Sequence, residues 1–542
     1  MSNESALRRE VGAIALMFTG LGSIIGSGWL FGAWRAAQLA GPGAIYSWII
    51  GAVIILFVAL TYAELGAMFP ESGGAVRYSQ YSHGSLVGFV AGWSGWIAIV
   101  SVIPVEAEAS VQYMSSWKWE WAHALYDHAA NGQGVLTASG LSIAGVLVIL
   151  YFLLNFWSVK VFAETNSAIT FFKLIVPAAT AITLMLTSFH WSNFRVGIHG
   201  GAHAGNLAAI LTAVATSGIV FSYNGFQNPV NLAGEARNPG KSVPFAIFGA
   251  IGLSTVVYLL LQFAFLGSVA PESLSGGWAS LEYSSPFAQL AIALNLNWLA
   301  ILLYADAFVS PSGTGTTYTA STARLIYAME RNGTVPSILG RVHPRYGIPR
   351  PAMWFNLLVS FIFLFSYKGW SMLAAVISVA TIITYLIVPI SVVVLRTTAP
   401  HIHRPLRIPG LKVLSPLAFT LATLMLFWAR WPNTGEIMLL LVLPMPVYFF
   451  YQAKNQWRGF DRALRAAWWL VGYLLAITVL SWAGSREFGG RGWIPYGWDQ
   501  LAVAITSLFF YAWGVRSGWR TPDLDALEAR SLRTEPTSTR EA

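Results

Sequence analysis

The sequence predicts an all-α, multi-pass membrane protein in which two spans are interrupted. Three observations predict it: hydropathy that no soluble domain sustains, Lys and Arg gathered in alternate connecting segments, and glycine, proline and amide residues inside two otherwise apolar runs. The chain has 542 residues, 56% hydrophobic and only 10% charged, with a mean hydropathy of +0.58. About 20 apolar residues in a row already suffice to cross a bilayer, and such runs recur along the whole chain. The sequence contains no cysteine, which excludes disulfides and thiolate metal sites. The net charge of +9 lies mostly in connecting segments on one side of the spans, so no nucleic-acid partner is expected.

The expected spans number about fourteen and cover 11–39, 43–69, 86–114, 139–157, 166–188, 206–231, 244–268, 288–322, 352–367, 371–395, 411–429, 433–452, 466–484 and 500–516. With the N-terminus inside, seven of the 32 Lys and Arg fall outside: Arg35, Lys118, Arg195, Lys368, Arg430, Arg486 and Arg491. Lys173 lies within span 5, and the remaining 24 are inside. By the positive-inside rule this asymmetry places both termini in the cytoplasm. The largest inside loop, 324–350, carries five arginines and reads as a basic surface facing membrane lipid. No small-residue cleavage site follows span 1, so no removed signal peptide is expected.

Span 1 contains TGLGSIIGSGWLF at 19–31, with Gly20, Gly22, Gly26 and Gly28 inside nine residues. Glycine costs about 1 kcal/mol against alanine in a helix, so this span is expected to break. A broken helix in lipid must aim its freed N–H and C=O groups at protein, water or a ligand, and a helix N-terminus suits a carboxylate. Close packing on a glycine face is the alternative. Span 6 contains FSYNGFQNPVN at 221–231, where Gly225 and Pro229 interrupt the helix and Asn224, Gln227, Asn228 and Asn231 need partners. Two interrupted spans, five apart, are the mark of an inverted-repeat transporter with its site at the midplane.

Four stretches resemble the amino acid–polyamine–organocation superfamily of permeases: GSIIGSGWLF at 22–31, YAELGAMFPESGGAVRY at 62–78, FSYNGFQ with GEARNPGKSVP at 221–244, and ARLIYAMERNGTVP at 323–336. The resemblance implies a core of ten helices in two inverted halves of five over 11–400. Around it would lie a cytoplasmic tail at 1–10, four additional spans at 401–516 and a polar tail at 517–542, disordered or weakly helical. It further implies that Gly26, the Ser27 and Gly28 N–H groups and the Ser27 hydroxyl meet a substrate carboxylate. Carbonyls near Ile24 and those of Phe221, Tyr223 or Asn224, beside Gly225, would meet its amino group. Many members carry an acidic residue where this chain has Gln227, which puts any role tied to that carboxylate in doubt.

Lys173, in NSAITFFKLIVP, falls about seven residues or roughly 10 Å into span 5 at 1.5 Å per residue. It matches a lysine that sodium-independent members place where sodium-coupled relatives bind the ion; a fixed ammonium there can replace the cation or exchange a proton. Snorkelling to the interface is the alternative. Glu106 and Glu108 lie in span 3 and Asp306 in span 8, next to an expected distortion at 311–315. Asp306 would either bind an amine or proton or serve as a structural hub, and Glu64 would cap or pair at the inner surface. His199 and His203, four apart in a loop, are a weak metal pair, and no metal is expected. Gly240-Lys241-Ser242 is not a phosphate loop, because Glu235 stands where the first glycine is required.

No nucleophile–base pair or cofactor motif suggests an enzyme. The expected function is sodium-independent secondary transport of an amino acid by alternating access in the plasma (inner) membrane, as a proton-coupled symporter or an exchanger. The rivals are a transporter of polyamines or other organic amines, and a transporter-like receptor that binds solute without moving it.

Overall fold

The computed structural model describes residues 11–71, 73–128, 134–157, 159–198, 206–344, 346–457 and 459–534. His199 and His203 lie outside them. Span 1 is two helices, α1 (Ala13–Ile24) and α2 (Gly28–Ala40), and α3 (Ala44–Met68) follows. Next come α4 (Ala75–His83) and the nearly continuous α5 (Ser85–Val100) and α6 (Val102–Met114). The short α7 (Glu120–His123) leads to a two-stranded ribbon, β1 (Tyr126–Asp127) with β2 (Val135–Leu136). Two long helices, α8 (Ala138–Trp157) and α9 (Val159–Thr187), complete this half of the chain.

Span 6 is divided among α10 (Leu207–Thr216), α11 (Ile219–Tyr223) and α12 (Asn228–Asn231). Gly225, at φ +115°, unwinds the helix where expected, but a further 48° bend lies earlier, at Ser217-Gly218. Gly218 adopts φ +90°, a left-handed conformation that glycine takes without penalty. Then follow α13 (Pro239–Ser268), α14 (Pro286–Ala293), α15 (Asn297–Arg331), α16 (Arg350–Ser366) and α17 (Trp370–Thr398). The last group is α18 (Leu411–Trp428), α19 (Asn433–Val442), α20 (Met445–Lys454), α21 (Phe460–Ala483), α22 (Trp498–Ser517) and α23 (Pro522–Thr534).

Among the described residues nine helices are long and apolar enough to cross a membrane, or up to eleven if each of two bent pairs counts as one span. Large apolar side chains such as Leu186, Ile301 and Leu443 remain exposed on the outside, as a hydrocarbon solvent permits. The centre is held by α17, almost wholly buried, against α5, α4 and α18, with α1 packed on α13 and α9, and α6 on α15 and α8.

One expectation is corrected and two are refined. Span 8 does not begin at 288, since α14 is a separate helix and α15 starts at Asn297. At the expected 311–315 distortion α15 stays helical through Pro311. Proline removes the hydrogen bond to the carbonyl four residues back, and that carbonyl, Ala307 O, instead accepts the Ser110 hydroxyl at 2.8 Å. The tail past Trp519 forms α23, which docks on α4: Gln80 Nε2 donates to Asp523 Oδ2 at 2.8 Å, the Thr521 hydroxyl to Tyr81 O at 3.0 Å, and Leu524 is buried.

Candidate functional site

The break in span 1 is made of Ile25, Gly26 and Ser27. The last helical bond of α1 runs from Ile25 N to Leu21 O at 2.8 Å, and Gly26 N then turns back onto Ile24 O at 3.1 Å. The carbonyls at the end of α1 and the N–H groups at the start of α2 therefore lack partners within their own helices. Several find distant ones. Ser27 N donates to Glu106 Oε2 at 2.8 Å, and the Ser27 hydroxyl accepts Trp370 Nε1–H at 2.8 Å. Lys173 donates to Gly22 O at 2.7 Å and to the Thr314 hydroxyl at 2.6 Å. Thr314 in turn lies 3.3 Å from both Gly22 O and Ile25 O. Tyr258 shares its hydroxyl between Ile24 O at 3.1 Å and Ser222 O at 2.9 Å.

The glycines fit this packing. A Cβ on Gly26 would stand 2.4 Å from Glu106 Oε1, and one on Gly28 would stand 2.3 Å from Ser222 Oγ and 3.1 Å from the Ser222 Cα. Gly28 is thus where α2 touches α11. The second break meets the first beside it. Gly225 lies against Ser23, and Asn228 Nδ2 donates to the Ser23 hydroxyl. Gln227 braces its own loop, donating to Asn224 Oδ1 at 2.8 Å and accepting Gly225 N–H at 3.2 Å.

Ile24, Gly26, Ser27, Gly28, Phe221 and Glu106 accordingly gather around the two breaks, and Lys173 reaches them from α9. Phe221 O accepts Asn224 N–H at 3.0 Å and keeps a second lone pair, whereas Ile24 O already accepts both Gly26 N–H and the Tyr258 hydroxyl. The Tyr223 side chain points away, its hydroxyl donating to Thr255 at 3.0 Å. Lys173 does not snorkel: it is 1% exposed, with two buried acceptors. Asp306 accepts the Ser310 hydroxyl at 2.7 and 2.9 Å, one turn along α15. It and Glu106 are the two carboxylates in electrostatic range of Lys173. Glu64 is paired: Arg396 Nε reaches it at 2.7 Å and Nη2 at 2.5 Å, and Ile408 N donates at 2.9 Å.

Trp370, Tyr258 and Thr314 complete the site, although no motif in the sequence marks them. Trp370 opens α17, where a tryptophan reads as an interfacial residue. Instead it packs, tilted, against Phe31 at 4.9 Å and edge-on against Phe221 at 5.9 Å, donating to Ser27. Tyr258 sits in a mainly apolar stretch that gives no sign of which way it faces.

A bundle of long apolar helices with two interrupted members defines a multi-pass membrane protein. The chain belongs to the amino acid permease family, whose profile matches residues 11–456. It is 58% identical over 526 residues to the glutamate/serine transporter AimA of Bacillus subtilis, covering 97% of each chain. To the aspartate–proton symporter of the same organism it is 36% identical over 523 residues, 96% of this chain and 98% of that one. To the branched-chain amino acid permease BcaP, also of B. subtilis, it is 26% identical over 460 residues, 84% of this chain and 95% of that one. These relatives are transporters, not enzymes.

Proposed function

We propose that this protein is a secondary transporter that carries an amino acid across the plasma (inner) membrane by alternating access, with glutamate, aspartate and serine the first substrates to test. One observation carries the reading. The opened N-terminus of α2 already holds a carboxylate at the Ser27 N–H, while carbonyls lie across the break at Ile24 and at Phe221, the latter with one lone pair spare. An amino acid offers the matching pair of charges, an anion for the N–H groups and an ammonium for the carbonyls. The names of the two most similar relatives above supply the side-chain class.

In this reading, residues 11–400 form two inverted halves of five helices and 401–516 add four more spans, about fourteen in all, with both termini cytoplasmic. Ile24, Gly26, Ser27, Gly28, Phe221, Asn224 and Gly225 line the substrate position, Tyr223 contributing backbone alone. Lys173 stands where a coupling cation would bind, so transport is sodium-independent and protons are the coupling ion. Replacing sodium by choline at fixed pH and membrane potential is expected to change initial uptake by less than twofold. A collapse of uptake would remove Lys173 from that role.

The deciding experiment is flux of labelled glutamate, aspartate and serine into proteoliposomes, with a polyamine alongside. Uptake of an amino acid above protein-free vesicles is the expected result. Polyamine flux alone would favour an amine carrier, for which buried Asp306 is the natural ammonium site. Binding without flux would identify a receptor.

A further inference from the structure

Two of the buried carboxylates, Glu64 and Glu106, are held in contrasting ways. Glu64 is saturated, with two bonds from Arg396 and a third from Ile408 N–H. Glu106 is also 0% exposed, yet only Oε2 is bonded, to the single Ser27 N–H; Oε1 has no hydrogen-bond partner among the described residues. A carboxylate buried for structure alone would be expected to satisfy both oxygens. This one approaches the first turn of α2 so closely that Gly26 has no room for a Cβ.

We infer that Glu106 is a tethered stand-in for the substrate's α-carboxylate, which holds the Ser27 N–H in the empty carrier and surrenders it when substrate arrives. The inference rests on the transport reading above and adds a competitor within the chain to it. Two carboxylates cannot share one N–H, so substrate must evict Glu106. An amine without a carboxylate has nothing to put in its place. The stand-in also has a use on the return journey. Without any anion at the break, the empty carrier would reorient with an orphaned N–H buried at the start of α2 and with Lys173 short of one of its two counter-charges. The loaded carrier needs no stand-in, because the substrate supplies the anion.

Glu106→Ala should therefore separate three measurements. In detergent-purified protein, L-glutamate or L-serine should bind about tenfold more tightly, as removal of a competing hydrogen bond worth about 1.4 kcal/mol would give. In proteoliposomes, exchange of internal for external substrate should be impaired far less than net uptake, because substrate supplies the anion on both legs. Net uptake into vesicles without internal substrate should fall at least tenfold. Glu106→Gln keeps an acceptor for Ser27 N–H and should give a smaller gain in affinity, which guards against a folding defect in the alanine variant. Ethanolamine, which is serine without its carboxylate, should not compete for the wild-type site. Weaker amino acid binding in Glu106→Ala would overturn the inference, since Glu106 would then be holding substrate. Equal loss of exchange and net uptake, or no change in any measurement, would overturn it as well. If wild type binds none of the twenty amino acids, the transport reading itself fails, and that outcome is distinct from the others.

Discussion

Lys173→Ala is expected to lower initial amino acid uptake at least tenfold while leaving an inserted, folded protein. The ammonium donates to Gly22 O at the end of α1 and to Thr314 on α15. Removing it leaves a buried carbonyl short of a donor, a deficit of about 1–3 kcal/mol, and deletes the charge facing Glu106 and Asp306. Because the contact joins α9 to the broken helix, its loss falls on whichever conformation contains it, and apparent affinity follows that conformation's population. Lys173→Arg should rescue poorly. Gly313 and Ile169 pack beside the site, and a planar guanidinium cannot present one compact donor to both acceptors or give up its proton. The measurement is uptake rate against external pH for wild type and both variants at matched surface amounts. Wild-type uptake should rise toward acid, and the alanine variant should be slow and flat. An alanine variant with full activity and an unchanged profile would end the coupling role.

Gly28→Leu is expected to abolish detectable amino acid binding. Its Cβ would stand 2.3 Å from Ser222 Oγ and 3.1 Å from backbone, and a flexible side-chain tip cannot absorb a clash with a main-chain atom. Overpacking of this kind costs about 1–3 kcal/mol and would push α2 from α11, spreading the groups that must converge on one ligand. From the sequence alone, bulk at Gly28 would be expected to fill the carboxylate position; the geometry gives a different cause, loss of contact between the broken helices. Thermal-shift titration with the transported amino acid tests it, and wild-type affinity in the variant would detach this contact from the site.

The breaks were readable because glycine, proline and amides are costly inside an apolar run unless the helix opens there, and Lys173 because a charge so far into a span demands a partner. What hydropathy cannot supply is azimuth. In a helix apolar on every side, such as α13 or α17, nothing in the sequence says that Tyr258 or Trp370 turns toward the breaks. Partners remote in the chain are equally hidden: Ser27 meets Glu106 across 79 residues and Trp370 across 343. The intact course of α15 through Pro311 depends on a hydroxyl from α6, a compensation visible only once the two helices are side by side. The bend at Ser217-Gly218 carries one glycine, too little to stand out beside the richer signal that follows it.

The start of the described chain is stitched to the segment that follows the second break. Val11 N donates to Glu235 O and Arg237 N donates to Val11 O, both at 3.0 Å. These bonds use main-chain atoms alone, so ordinary side-chain drift over evolution leaves them untouched; proline is the exception, since it has no N–H to give. Together with Ser23 against Gly225 and Asn228, they yoke α1 and α12 at two levels. A yoked pair would turn as one lever: tilting either half-helix would drag the other, with one fastening beside the breaks and the second at the far end of α1. Local events at the binding position would thereby reach the membrane surface with no separate relay.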